Sequence, residues 1–82
     1  MQDDLVPENV RALEQRVCRE MYVSIDQIRG KDRFPEIVAA RHKVWHLAYT
    51  ELGYSMARIG RIYGRDHTTI KHGIHRCRKG EG

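Results

Sequence analysis

Nowhere in its 82 residues does this chain hold the roughly 18 to 20 consecutive apolar residues that a membrane span needs. Its opening, MQDDLVPEN, lacks the basic-then-apolar layout of a secretory leader. Both absences lead to the expectation of a cytoplasmic protein. Cysteine is scarce: Cys18 and Cys77 stand far apart and neither belongs to a CxxC pair, so neither a disulfide framework nor a cysteine zinc site is indicated. They read as small thiols at the edge of a core. Aromatic residues make up 7% of the chain, and no alternating strand pattern is present, which removes the stacking sheet used by single-strand and RNA readers. The length excludes more: one domain, residues 1–82, is expected, and its small core leaves little room for a catalytic cleft.

What is present is an ordinary globular balance, 40% hydrophobic and 32% charged, too apolar for a disordered chain. The formal net charge is +4, and the sequence pI of about 9.4 points to a polyanionic partner. Through Glu36 there are eight acids against six bases; from Ile37 to Gly80 there are nine bases against two acids, Glu51 and Asp66. All five histidines lie in that second stretch. A basic half of this kind suits phosphate neutralisation, because each Lys or Arg near a duplex releases condensed counterions.

Helical periodicity organises the chain. Pro7 and Glu8 suit a helix start, and Val10, Leu13, Val17 and Met21 form one apolar stripe, predicting a first helix from Pro7 to Met21. Ser24 and Gln27 have the spacing of a capping box that opens a short second helix ending at Gly30. After a basic loop, Pro35 opens a third helix, in which Ile37 or Val38, Arg41, Val44 or Trp45, Ala48 and Leu52 recur at helical spacing up to Gly53. Trp45 is expected as a core anchor. Ser55 caps a fourth helix over Met56 to Tyr63, with Ile59 and Ile62 inward and Gly64 closing it. Asp66 caps a fifth, whose buried stripe is Ile70, Ile74 and Cys77, leaving His67, Thr68, Lys71, His72, His75 and Arg78 to face outward.

The expected fold is therefore all-α, about five helices, with a helix-turn-helix over about 55 to 78 docked on the long third helix. In that motif the first residues of the second helix meet base edges in the major groove. Here they are Arg65, Asp66, His67, Thr68 and Thr69. An Asp can accept from cytosine N4, His and Thr can bond base edges, and a Thr methyl can touch a thymine methyl. The N–H groups at the helix start can bind a phosphate.

The run from Gly64 through Arg65, Asp66, His67, Thr68, Thr69 and Ile70 to His72 resembles the signature of the C-terminal DNA-binding domain (domain IV) of the bacterial replication initiator DnaA. The likeness extends back through Ser55 to Gly60, through Ala40, Arg41 and His42, and through the basic loop to the first helix. The resemblance implies a fold like that of Trp repressor and DnaA domain IV. It also implies binding of double-stranded DNA at DnaA boxes, sites with a TTATNCACA-like consensus, by a nucleoid-associated protein acting in replication initiation or its regulation. By position, Asp66, His67, Thr68 and Thr69 match major-groove readers, with Ser55, Lys71 and His72 beside them. Arg33 matches an arginine that enters the adjacent minor groove, a use favoured where that groove is narrow and A·T-rich. Met56 and Ala57 match a Leu-Pro pair that touches DNA, while Arg41 and Arg65 match phosphate-holding positions. Such contacts set register, and base contacts specify.

The chain departs from the pattern in three ways. One glycine, not two, precedes Arg65, which shortens the turn by a residue; Met56 and Ala57 replace Leu-Pro; and no GxxxxGK[ST] nucleotide-binding run exists, so ATP hydrolysis is excluded. The shortened turn motivates an alternative, a module that docks on the replication initiator or another replication protein and binds DNA weakly. Met1 and the acidic opening favour a small stand-alone protein over an excised domain. No cofactor, metal or enzymatic activity is expected. His72, His75 and Cys77 do not supply the converging ligands zinc needs, His42 and His46 lack a third ligand, and Asp66 beside His67 is more simply a cap and a base contact.

Overall fold

The computed structural model describes residues 6–80, with side chains described through Cys77. Five α-helices follow in order: α1 Glu8–Met21, α2 Ile25–Arg29, α3 Pro35–Thr50, α4 Met56–Tyr63 and α5 His67–Gly80. Among the described residues there is no strand. The all-α, five-helix expectation holds.

Local chemistry accounts for most of the boundaries. Before α2, Ser24 Oγ accepts from Gln27 N–H at 3.1 Å while Gln27 Oε1 accepts from Ser24 N–H at 2.9 Å, the reciprocal capping box. Ser55 Oγ accepts from Arg58 N–H at 3.1 Å to open α4, and Gly64, at φ 68°, closes it in the left-handed region that glycine enters without steric cost. Two boundaries move. Pro7 is the cap residue before α1, with ψ 154°, and not its first helical residue. α3 stops at Thr50, short of Gly53; the glycine adopts φ 74° in the turn beyond, where Tyr54 N–H returns to Ala48 O at 3.1 Å.

The helix α3 runs through the middle of the core. At one end Trp45 and Ala48 pack with Leu13 of α1, Ile59 of α4, and Ile70 and Ile74 of α5. At the other, Ala40 and Val44 pack with Val17 and Ile28. Trp45 is fully buried, as a core anchor should be. Each large apolar side chain so buried contributes about 1.5–3 kcal/mol. Cys77 lies only half-buried at the end of the α5 stripe, and Arg78 falls outside the described side chains.

The pairing of α3 with α5 depends on Gly73. A Cβ there would stand 2.6 Å from Trp45 Cε3 and 2.8 Å from His42 Cδ2, closer than side-chain carbons approach. The absent side chain is what lets the last helix lie against the indole.

A charge also sits inside. Glu14 is fully buried, four residues on from Val10 on the inward side of α1. Its carboxylate accepts from Arg29 at 2.7 and 3.0 Å and from the Tyr63 hydroxyl at 2.6 Å. Burial, then the Glu14 charge, pushes the Tyr63 phenol far above its ordinary pKa, so it remains a donor. This network ties α1, α2 and the end of α4 together.

Candidate nucleic-acid interface

The site begins at Gly60. A Cβ on this residue would collide with the carbonyl oxygen of Arg65, so only glycine lets the chain after the turn fold back over α4. Arg65 N–H then donates to Gly60 O at 2.8 Å, and left-handed Gly64 completes the reversal. The Arg65 side chain works inward as well. It donates to Gly30 O at 2.7 Å, and its guanidinium carbon lies 5.7 Å from the centre of the Trp45 ring. The loop between α2 and α3 is thus fastened to the turn between α4 and α5.

Asp66 caps α5. Its Oδ1 accepts from Thr69 N–H at 3.2 Å and from Thr69 Oγ1 at 2.8 Å. The Thr69 hydroxyl, more than anything else, holds this carboxyl below the usual carboxylate range. Beyond the cap, His67, Thr68, Thr69, Lys71 and His72 are all exposed, while Ile70, Gly73 and Ile74 are buried. One face of α5 therefore carries hydroxyl, imidazole and ammonium groups, and the other is dry.

The remaining expected residues divide. Arg33 is exposed on the loop that Arg65 fastens, and Ala57 is exposed at the start of α4. The Ser55 hydroxyl is engaged as a cap, and half-buried Met56 packs against the core. For Arg41 the structure replaces the expected phosphate contact with an internal role. It is 4% exposed, and its guanidinium donates to Ile28 O at 2.8 Å and Gln27 O at 2.9 Å. Its place on the inward stripe of α3 was visible in the spacing; a phosphate contact would have required exposure. Arg65 is half-buried and engaged at Gly30 O. Sequence reasoning missed Gly60 and Glu14. A glycine four residues before the turn glycine was the available signal for the first; Glu14 gave none beyond its position on the apolar side.

Two short helices joined by a glycine turn, the second presenting an unbroken polar face, define a helix-turn-helix protein. The family model for the helix-turn-helix of bacterial dnaA protein matches residues 10–77, and the chain belongs to that family. It is 40% identical over 75 residues to the chromosomal replication initiator protein DnaA of Thermomicrobium roseum, covering 90% of this chain and 16% of that one. To the protein of the same name from Mycoplasma capricolum it is 38% identical over 63 residues, 76% of this chain and 14% of the relative. For that of Porphyromonas gingivalis the figures are 36% over 69 residues, 83% and 14%. The chain thus spans about one sixth of the length of these relatives. No solved structure matches it. Among the described residues no group of three or more His, Cys, Asp or Glu side chains is placed to hold a metal, and no helix is long and apolar enough to cross a membrane.

Proposed function

We propose that this chain is a non-enzymatic module that binds double-stranded DNA sequence-specifically at DnaA-box-like sites, in replication initiation or its regulation. The observation that carries the reading is the exposed face of α5, where His67, Thr68, Thr69, Lys71 and His72 stand clear of the core directly after an ordered cap. A helix presented in this way suits the major groove. Asp66 uses Oδ1 for its cap, and its carboxylate can still accept from a cytosine amine. With the Thr69 hydroxyl hydrogen donated to Asp66, Thr69 can offer a base its methyl and the acceptor lone pairs of its oxygen. Arg33, on the loop fastened to the turn, is the candidate for the neighbouring minor groove, and Lys71 for a phosphate. Ala57 gives α4 an exposed contact at its start.

The deciding experiment is a fluorescence-anisotropy titration of a labelled duplex carrying one DnaA box against a scrambled duplex, at two salt concentrations. A preference for the box that persists at higher salt is expected, since salt weakens phosphate attraction but not base reading. Equal, salt-labile binding to both duplexes would overturn the proposal.

A further inference from the structure

On the side of the molecule formed by the C-terminal ends of α1 and α5 and the N-terminal half of α3, an open groove of about 820 Å³ remains. Its apolar lining comes from Met21, Val38, Ala39 and Cys77, none of them fully buried. Around these stand Arg33, His42, Lys43 and Arg76. One acid, Glu20, also lines the groove, and Lys43 Nζ lies 3.2 Å from its Oε1. Both partners of that pair are substantially exposed, 38% and 50%, so the pairing is weak and Lys43 can exchange it for another carboxylate.

Duplex DNA explains only half of this surface. Phosphates would satisfy the cations but would leave the apolar lining uncovered, and the groove lies at the far end of α5 from His67, Thr68 and Thr69, touching the proposed DNA contacts only at Arg33. An apolar strip bordered by cations is complementary to an amphipathic segment with acids flanking an apolar stripe, laid in as a helix lies in a groove.

We infer that the groove between α1, α3 and α5 is a docking site for an acidic amphipathic segment of a protein partner, separate from the base-reading face of α5. The two surfaces meet at Arg33, so a bound segment engages one residue that the duplex also uses.

The test is a peptide-display selection on the full 82-residue chain with a random 12-residue library, followed by anisotropy titration of the enriched peptides. Enriched peptides should combine Asp or Glu with apolar residues. Their affinity should fall at least tenfold in the Lys43→Glu/Arg76→Glu double variant and in Ala39→Glu, which places a like charge in the exposed lining. Circular dichroism of both variants should show wild-type helicity, and the ratio of box to scrambled-duplex binding should stay at its wild-type value. Failure of the box titration alone would count against the DNA reading and not against the groove. Enrichment of peptides without acids, affinities unchanged by both variants, or no enrichment would overturn the inference. So would binding to phosphatidylglycerol vesicles that the same substitutions abolish without any peptide being enriched; that result would make the groove a lipid-headgroup site.

Discussion

His42 lies against Trp45 with ring centroids 5.3 Å apart. Burial, and then the charges of Arg76, Arg41 and Arg65, lower its pKa below the ordinary 6.5. The folded chain therefore binds this proton less readily than the unfolded chain does. The corresponding stability is present above pH 6.5 and is lost as pH falls from there toward the lower folded value. Denaturant titrations between pH 7.5 and about 5 should show this decline, and His42→Gln should remove the part of it that begins near the ordinary imidazole value. The residues proposed to read bases are exposed, so their substitution should act on binding more than on stability. His67→Ala and Thr68→Ala should each reduce box preference by about 1–3 kcal/mol while leaving the thermal midpoint near that of wild type. A variant that binds boxes as wild type does would remove that residue from the site. Arg41 shows where reasoning from position stops: a charged side chain on an inward stripe can be buried if backbone carbonyls receive it, and those of Gln27 and Ile28 do.

Helices and turns carry the next set of consequences. Gly73→Ala drives a methyl group into the Trp45 ring, and overpacking of this kind costs about 1–3 kcal/mol, readable as a lower denaturation midpoint. Gly60→Ala meets backbone instead of a movable ring and should weaken box preference as well as stability. Tyr63→Phe removes a hydrogen bond to a buried carboxylate, with an expected loss of about 1.5–3 kcal/mol in urea unfolding and no new charge. At this scale the sequence was most readable wherever the cause was local. The Ser24–Gln27 box, the Ser55 cap, the Gly64 stop and the Asp66 cap each depend on residues within a turn of one another, and each stands where the residues placed it. Glu14 was unreadable for the opposite reason. Its partners lie 15 and 49 residues away, and nothing near it in the chain announces that a carboxylate is paired inside the fold. The boundary shifts at Pro7 and Thr50 have a different origin. Proline suits the last residue before a helix as well as the first within it, and a left-handed glycine can close a turn beyond a helix as well as the helix itself.

For the whole molecule the unequal distribution of charge matters most. With nine bases against two acids from Ile37 to Gly80, affinity for any duplex should fall linearly in a plot of log K against log salt, with a slope of about −0.9 per phosphate neutralised. Lys71→Ala should reduce that slope by about one for box and scrambled duplex alike, leaving their ratio unchanged. A change in the ratio instead would make Lys71 a base reader. The hydrogen bond from Arg65 to Gly30 O links the start of the loop bearing Arg33 to the turn before α5, and Arg41 on Gln27 and Ile28 ties α3 to the helix that precedes that loop. On the proposed reading such a protein would act as a caliper: with Arg33 and the start of α5 linked, a duplex with the right bases at the wrong separation between the two sets of contacts should bind less well than an intact box.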